Sequence, residues 1–233
     1  MLLLRSVLFF LGQLIVTPIF TVIALLSFPL PPITRYKLIS GWALSMLWWL
    51  KVTCNITYKI VGSEHIPKHS SVILAKHQSA WETLAFQAIF PPQVWVMKKS
   101  LLWIPFFGWG LAMTSPIAIN RAAGREALKQ LVEQGKDRLK KGFWVVVFPE
   151  GTRIGIGERG KYHIGGAWLA NHTNSTVVSV AHNAGGFWPK NSFIKRPGVI
   201  TVVIAPPIDA SKLKTDALNS QVETWIETQM LSL

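Results

Sequence analysis

The chain opens on an apolar run that carries no charge from Val7 to Phe28, "VLFFLGQLIVTPIFTVIALLSF". As a helix these 22 residues reach about 33 Å, enough to cross a bilayer core. The run exceeds the roughly 7–15-residue apolar core of a signal peptide, and no small-x-small cleavage site follows it. "FPLPP" at 28–32 breaks the helix. A second apolar stretch, "LISGWALSMLWWL" at 38–50, lies between Lys37 and Lys51. Its 13 residues reach only about 20 Å, too short to span alone. Residues 1–50 are therefore predicted to form a two-helix membrane anchor. It is either a hairpin dipping into one leaflet or one crossing followed by an interfacial helix.

From residue 51 the pattern shortens. "NITYKIVG" at 55–62 alternates polar and apolar positions as a strand does, and "SVILA" at 71–75 reads as a buried strand. "WETLAFQAIF" at 81–90 reads as a helix stopped by Pro91 and Pro92, and "QVWVMKK" at 93–99 as another strand. "PIAINR" follows at 116–121. Residues 124–142 form an amphipathic helix with Leu128, Leu131 and Leu139 on one side. "FWVVVFPEGTR" at 143–153 is an apolar strand running into a glycine-rich turn. "STVVSVAHNAG" and "GVITVVIAPPI" read as two more strands, and a polar C-terminal helix follows, with Asp209 or Ser211 as its N-cap. Strands alternating with helices predict an α/β domain over 51–233, a mixed and largely buried sheet flanked by helices. In such sheets ligands bind in loops after strand C-termini. "KHQSAWE", "KKS" and "PEGTR" fall in that position, so they are expected to share one sheet edge.

Composition sharpens the membrane reading. Half of the 233 residues are hydrophobic and 15% are charged, against about 25% charged in an ordinary globular protein. The eleven tryptophans suit a membrane interface. The net charge is +13, of which +3 falls in residues 1–50 and +10 in the remainder. A basic surface suits nucleic acid, anionic lipid headgroups or phosphorylated substrates. The single cysteine, Cys54, excludes a disulfide scaffold, and His65, His69, His163, His172 and His182 show no zinc-ligand spacing.

Three clusters carry candidate chemistry. Ser79 followed by Glu82 ahead of an apolar run is a capping box, which puts a helix start at Ser79. His77 lies just upstream, and a carboxylate against an imidazole also makes a general base. From this stretch alone Glu82 is either a cap or a catalytic partner. If both, one carboxylate oxygen reaches the Ser79 N–H while the other faces the imidazole. In "FPEGTR", Gly151 permits close backbone approach, and Thr152 and Arg153 offer donors; otherwise the segment is a surface turn. Lys98 and Lys99 follow an apolar strand and point to opposite faces. The apolar segment 101–113 either lines an acyl groove, dips into the interface or is ordinary core. G-x-x-x-x-G-K-[ST] and G-x-S-x-G are both absent, so neither a P-loop nor a serine-hydrolase elbow is present.

Together and in this order, the clusters resemble the glycerolipid acyltransferase family, in particular the 1-acylglycerol-3-phosphate (lysophosphatidate) acyltransferases. His77 to Glu82 matches an H-x4-D/E block, with glutamate where aspartate is more usual. "KKSLLWIPFFGWG" resembles the second block, "INR" at 119–121 the region after it, and "FPEGTR" the third. "VVSVAHNAG" stands where a fourth, variable block falls, with Ser179 in place of its usual proline.

The resemblance implies direct transfer of an acyl group from a thioester of coenzyme A or acyl carrier protein to a lysophospholipid hydroxyl, without an acyl-enzyme. It implies His77 as general base and Glu82 as its orienting partner. It places Lys98, Arg153 and Arg121 on the acceptor's phosphate, Gly151 and Thr152 where that phosphate approaches, and Glu150 bracing the loop through a basic neighbour. No metal or redox cofactor is expected, because a thioester is already activated, and no nucleic acid partner. The expected location is a membrane, the inner (cytoplasmic) one, with the site at the cytoplasmic leaflet. Two rivals remain: an acyltransferase for another lyso-phospholipid, and a non-catalytic basic protein holding anionic lipid. The second leaves the joint occurrence of His77, Glu82 and "FPEGTR" without a reason.

Overall fold

The computed structural model describes residues 1–120 and 123–233. Two long helices come first, α1 (Leu2–Leu26) and α2 (Pro32–Cys54). Proline at the first position of α2 has no N–H to leave unpaired and a backbone angle already suited to a helix. α2 is longer than the apolar stretch 38–50 because its buried residues Tyr36, Ile39, Ala43, Met46, Leu50 and Cys54 recur every three to four positions through the charged flanks. α1 is long and apolar enough, by length and composition, to cross a membrane.

The two helices pack against each other as a hairpin, and small residues let them approach. The Trp49 indole lies over Gly12, where an added Cβ would stand 2.1 Å from Nε1. That N–H donates to the Leu8 carbonyl at 3.0 Å. Trp42 Nε1–H donates to Thr17 Oγ1 at 3.1 Å.

α2 ends without a linker. Asn55 adopts a left-handed conformation (φ 53°, ψ 43°), donates its N–H to the Lys51 carbonyl, and the next residue begins β1 (Ile56–Val61). Then follow β2 (Val72–Ala75), α3 (Trp81–Ile89), β3 (Gln93–Lys98), α4 (Phe107–Ala112), β4 (Ile117–Ile119), α5 (Arg125–Lys140) and β5 (Trp144–Val147). The chain closes with α6 (Gly165–His172), β6 (Thr176–His182), β7 (Gly198–Ile204), β8 (Ile208–Asp209) and α7 (Thr215–Met230).

The strands form one mixed sheet in the order β1-β7-β6-β2-β5-β3-β4, with β8 beside β6. All pairs are parallel except β6 with β7 and β6 with β8. Alternate residues feed two cores, as the strand period of two requires. Val72, Leu74, Val145 and Val147 pack with Leu131 of α5, Leu169 of α6 and Leu218, Val222 and Ile226 of α7. Ile73, Ala75, Trp144 and Val146 pack with Trp81 and Phe86 of α3, and with Leu50 and Phe9 of the hairpin. Of the predicted α5 stripe, Leu131 is buried and Leu128 and Leu139 are half-buried.

Two local expectations are corrected. Asp209 does not cap the C-terminal helix. It ends β8 and accepts from the Ser211 N–H at 3.1 Å to start a short 3-10 turn, so α7 begins only at Thr215. The glycine-rich stretch after residue 150 also leads into a helix, α6, that the pattern hides behind Gly165 and Gly166. A Cβ on Gly166 would stand 2.4 Å from Leu74 Cδ2, so glycine is what seats α6 on β2.

The hairpin also grips the domain. Thr21 Oγ1–H lies 3.0 Å from the Phe106 carbonyl, and an Arg35 guanidinium N–H donates to Ser115 Oγ at 3.2 Å. Replacing Gly12 by Val fills the seat of Trp49. This overpacking is expected to cost about 1–3 kcal/mol and to lower the detergent melting temperature of the purified chain, whereas Gly12→Ala should be milder.

Candidate active site

The three clusters meet at one edge of the sheet. β2, β5 and β3 are adjacent and parallel, so their C-terminal loops emerge side by side and carry residues 76–82, 148–153 and 98–103.

After Ala75 the chain turns through Lys76, His77, Gln78 and Ser79 into α3. Glu82, on the first turn of α3, is fully buried and reaches back. Its Oε1 accepts from Gln78 N–H at 3.0 Å, Ser79 N–H at 2.9 Å and His77 Nδ1–H at 2.8 Å. Cap and imidazole partner are thus one oxygen, not the two expected, and Oε2 is buried without a hydrogen-bond partner. The helix start is also displaced: Ser79 Oγ accepts from the Trp81 N–H, and α3 begins at Trp81.

Burial pushes the Glu82 pKa up. The His182 and His77 rings and the N–H donors outweigh it and hold the carboxyl below the ordinary glutamate value. A folded-state value below the unfolded one makes this carboxylate stabilising at neutral pH, and that contribution is lost as the pH falls through its range. His182 Nε2–H donates to the Lys76 carbonyl at 2.9 Å, its Nδ1 accepts from the Ala184 N–H at 3.3 Å, and burial lowers the His182 pKa while Glu82 opposes that shift.

With Nδ1–H committed to Glu82, neutral His77 keeps its lone pair on Nε2. The ring lies flat on the Phe148 phenyl, with centroids 3.9 Å apart and planes at 10°. Its backbone is held on both sides: His77 N–H donates to Glu150 Oε2 at 2.8 Å, and its carbonyl accepts from the Ile154 N–H at 2.8 Å.

Beneath this loop lies a buried ion cluster. The Lys76 ammonium, 1% exposed, contacts Glu150 Oε1 at 2.7 Å and Glu227 Oε1 of α7 at 2.8 Å. Tyr162 O–H donates to the same Glu227 oxygen at 2.7 Å. Burial raises the Glu150 pKa, and Lys76 opposes that rise. Glu150 thus pairs with Lys76 beneath the loop and is not among the residues lining the cavity, where a substrate-binding residue was expected.

That cavity, about 450 Å³, opens beside His77. Phe20 and Trp42 of the hairpin, Met97 of β3 and Leu111 of α4 give it an apolar wall. Lys98, Gly151, Thr152 and Arg153 line it with His77. Gly151 has a positive φ of 69°, which favours glycine at this turn. Arg153 Nε is buried without a partner. Leu101 and Phe107 of the 101–113 segment line the cavity, whereas Trp103 stands 79% exposed. Arg121 lies outside the described residues.

Sequence reasoning missed Lys76, Glu227 and Tyr162, and also Lys190 and Asn191, which reach the cavity from the loop between β6 and β7. A lysine directly after "VILA" and a glutamate directly after "VVVFP" were the available signal for the ion pair. Nothing local marks Lys190.

A sequence model of the acyltransferase family matches residues 57–183. The 1-acyl-sn-glycerol-3-phosphate acyltransferase of Pseudomonas aeruginosa is 44% identical over 216 residues, 89% of this chain and 84% of that protein. The protein of the same name from Borreliella burgdorferi is 31% identical over 190 residues, 77% of this chain and 74% of that protein. The fold is similar to the crystal structure of the 1-acyl-sn-glycerophosphate (LPA) acyltransferase PlsC from Thermotoga maritima. The TM-score is 0.82 at 21% identity, over 99% of this chain and 95% of that one.

Lys76→Met leaves Glu150 buried without its cation. It is expected to destabilise the fold by about 3–5 kcal/mol, read as a fall in melting temperature in detergent. Adding Glu150→Gln removes the uncompensated charge and should recover part of the loss.

Proposed function

The chain belongs to the acyltransferase family, and on that premise we propose that it moves a fatty acyl group from a thioester donor to the sn-2 hydroxyl of 1-acylglycerol-3-phosphate, giving phosphatidic acid. The observation that carries this reading is the His77–Glu82 pair beside a cavity that is apolar along one wall and cationic at Lys98 and Arg153.

The chemistry follows from the tautomer. His77 Nε2 accepts the proton of the acceptor hydroxyl as the oxygen attacks the thioester carbon. The Glu82 carboxylate stabilises the resulting imidazolium through Nδ1–H. The tetrahedral oxyanion collapses, the carbon–sulfur bond breaks, and the departing thiolate takes the proton from the imidazolium. The enzyme returns to its starting state with no acyl-enzyme formed. The donor is acyl-coenzyme A or acyl carrier protein. Flat stacking on Phe148 limits rotation of the imidazole, so Nε2 keeps its aim between turnovers.

Arg153 and Lys98 hold the acceptor's phosphate, and the turn at Gly151 and Thr152 lets it approach. Arg153 suits this role because its Nε is already desolvated and unpartnered, so a phosphate oxygen completes it. The apolar wall takes acyl chain. Outside the cavity, α1 exposes apolar side chains such as Leu14, Ile15 and Ile19, and Trp103, Phe106 and Trp109 are exposed in the segment after β3. This exposed apolar surface supports a membrane location, and in this reading His77 and Glu82 work near the headgroups. Lysophosphatidate then enters without extraction into water, which would cost about 0.8 kcal/mol per methylene.

Radiolabelled transfer to lysophosphatidate, run with both donors, tests the reading. His77→Ala should abolish transfer; undiminished activity would sink the catalytic assignment. Glu82→Gln keeps an oxygen for the three N–H donors but removes the charge. It should fold normally and lose about 10²–10⁴-fold in kcat, and full activity would return Glu82 to a cap alone. Arg153→Ala should raise the acceptor KM, measured by titrating lysophosphatidate at saturating donor.

A further inference from the structure

The cavity wall carries three cations, Lys98, Arg153 and Lys190, and among the described residues it carries no carboxylate. None of the three takes part in an ion pair among those residues. Like charges gathered without a counter-charge repel, and an exposed lysine ordinarily swings away from its neighbours. The backbone of Lys190 cannot move off, because its loop is pinned at three places.

Asn191 turns the tip in a left-handed conformation (φ 56°), with the Ser192 N–H donating to the Pro189 carbonyl at 3.1 Å. The Arg196 N–H donates to the Phe187 carbonyl at 2.8 Å and closes the base. The Lys195 ammonium lies over the rings of Phe9, Trp188 and Phe193 at 4.9, 4.5 and 5.2 Å. The Lys195 backbone N–H donates to Ser6 Oγ at 2.9 Å, so the loop is fastened to α1.

We propose that Lys190 is a substrate-binding residue that completes, with Lys98 and Arg153, a three-cation cradle for the phosphate of the acceptor. The assignment rests on the reading above that the acceptor is a phosphomonoester. Such a group carries between one and two negative charges near neutral pH, more than one cation neutralises. The acceptor is favoured over the phosphates of the donor for two reasons. Lys190 shares one cavity with His77 and the apolar wall, and its loop is clasped to the anchor helix, the side from which lipid arrives. Lys190 lies beyond residue 183, where the family match ends. The third cation is therefore supplied from outside that matched segment.

The test compares wild type, Lys190→Ala and Lys190→Arg as purified full-length chains in mixed micelles. KM is measured for lysophosphatidate, for a 1-acylglycerol without phosphate, and for the donor. Lys190 is exposed, so its truncation leaves the core intact. Lys190→Ala should raise the lysophosphatidate KM about tenfold, or about 1.4 kcal/mol. Its kcat and donor KM should not change, and Lys190→Arg should restore most of the affinity. The phosphate-free acceptor should not distinguish the variants. An unchanged lysophosphatidate KM in an active Lys190→Ala protein overturns the assignment, as does a rise confined to the donor KM. Wild type that fails to acylate lysophosphatidate overturns the acceptor reading itself, and this assignment with it.

Discussion

An ammonium group enclosed at the end of a central strand must be met by carboxylates, and that requirement organises the site. Lys76 follows β2, Glu150 follows β5, and Glu227 comes from α7 more than seventy residues further on. Lys76 and Glu150 are far too expensive to bury alone, and Glu227 joins them from a partly exposed position. Their meeting therefore fixes the relative height of two parallel strands and docks the last helix under the loop they end in. His77 inherits this rigidity, because the carboxylate that neutralises Lys76 also receives the His77 N–H. The imidazole is carried on backbone held from below by Glu150.

The ring contacts then add a second constraint. A helix start and a polarised imidazole both call for a buried negative acceptor, and Glu82 answers both with a single oxygen. The local fold and the chemistry make the same demand, so neither is compromised to satisfy the other. The cost shows at Oε2, which is desolvated without a partner. Buried polar atoms in native proteins are seldom left so, and they concentrate at functional sites.

Much of this was legible in the chain. Apolar runs of four to six residues gave the strands, and the order of strands and helices gave parallel neighbours whose loops converge, which is how His77, Lys98 and Arg153 come together. The capping pattern brought Glu82 back to His77, although the cap position fell at Ala80, one residue later than Ser79. What stayed hidden was non-local or sterically determined. Glu227 reads as one more surface charge on a polar helix until α7 is seen to run beneath Lys76. α6 begins with two glycines, a poor start by propensity, and at the second, Gly166, Leu74 leaves no room for a Cβ. Asp209 is a good cap by type, and it serves a short turn because β8 pairs with β6 just before it.

The join at Asn55 has a consequence for how this protein meets its substrate. One left-handed residue separates the second helix of the hairpin from the first strand of the sheet, so the two parts cannot hinge apart. A catalyst on a tether samples a range of distances from the surface to which it is attached, whereas one fused to its float stays at a fixed draught. Its search for a lipid then becomes lateral diffusion in two dimensions. Encounter frequency follows the mole fraction of acceptor in the lipid phase, not its amount per unit volume of the sample. Diluting the surface with inert lipid at constant total acceptor should slow such an enzyme, while diluting the suspension with buffer at fixed donor concentration should not.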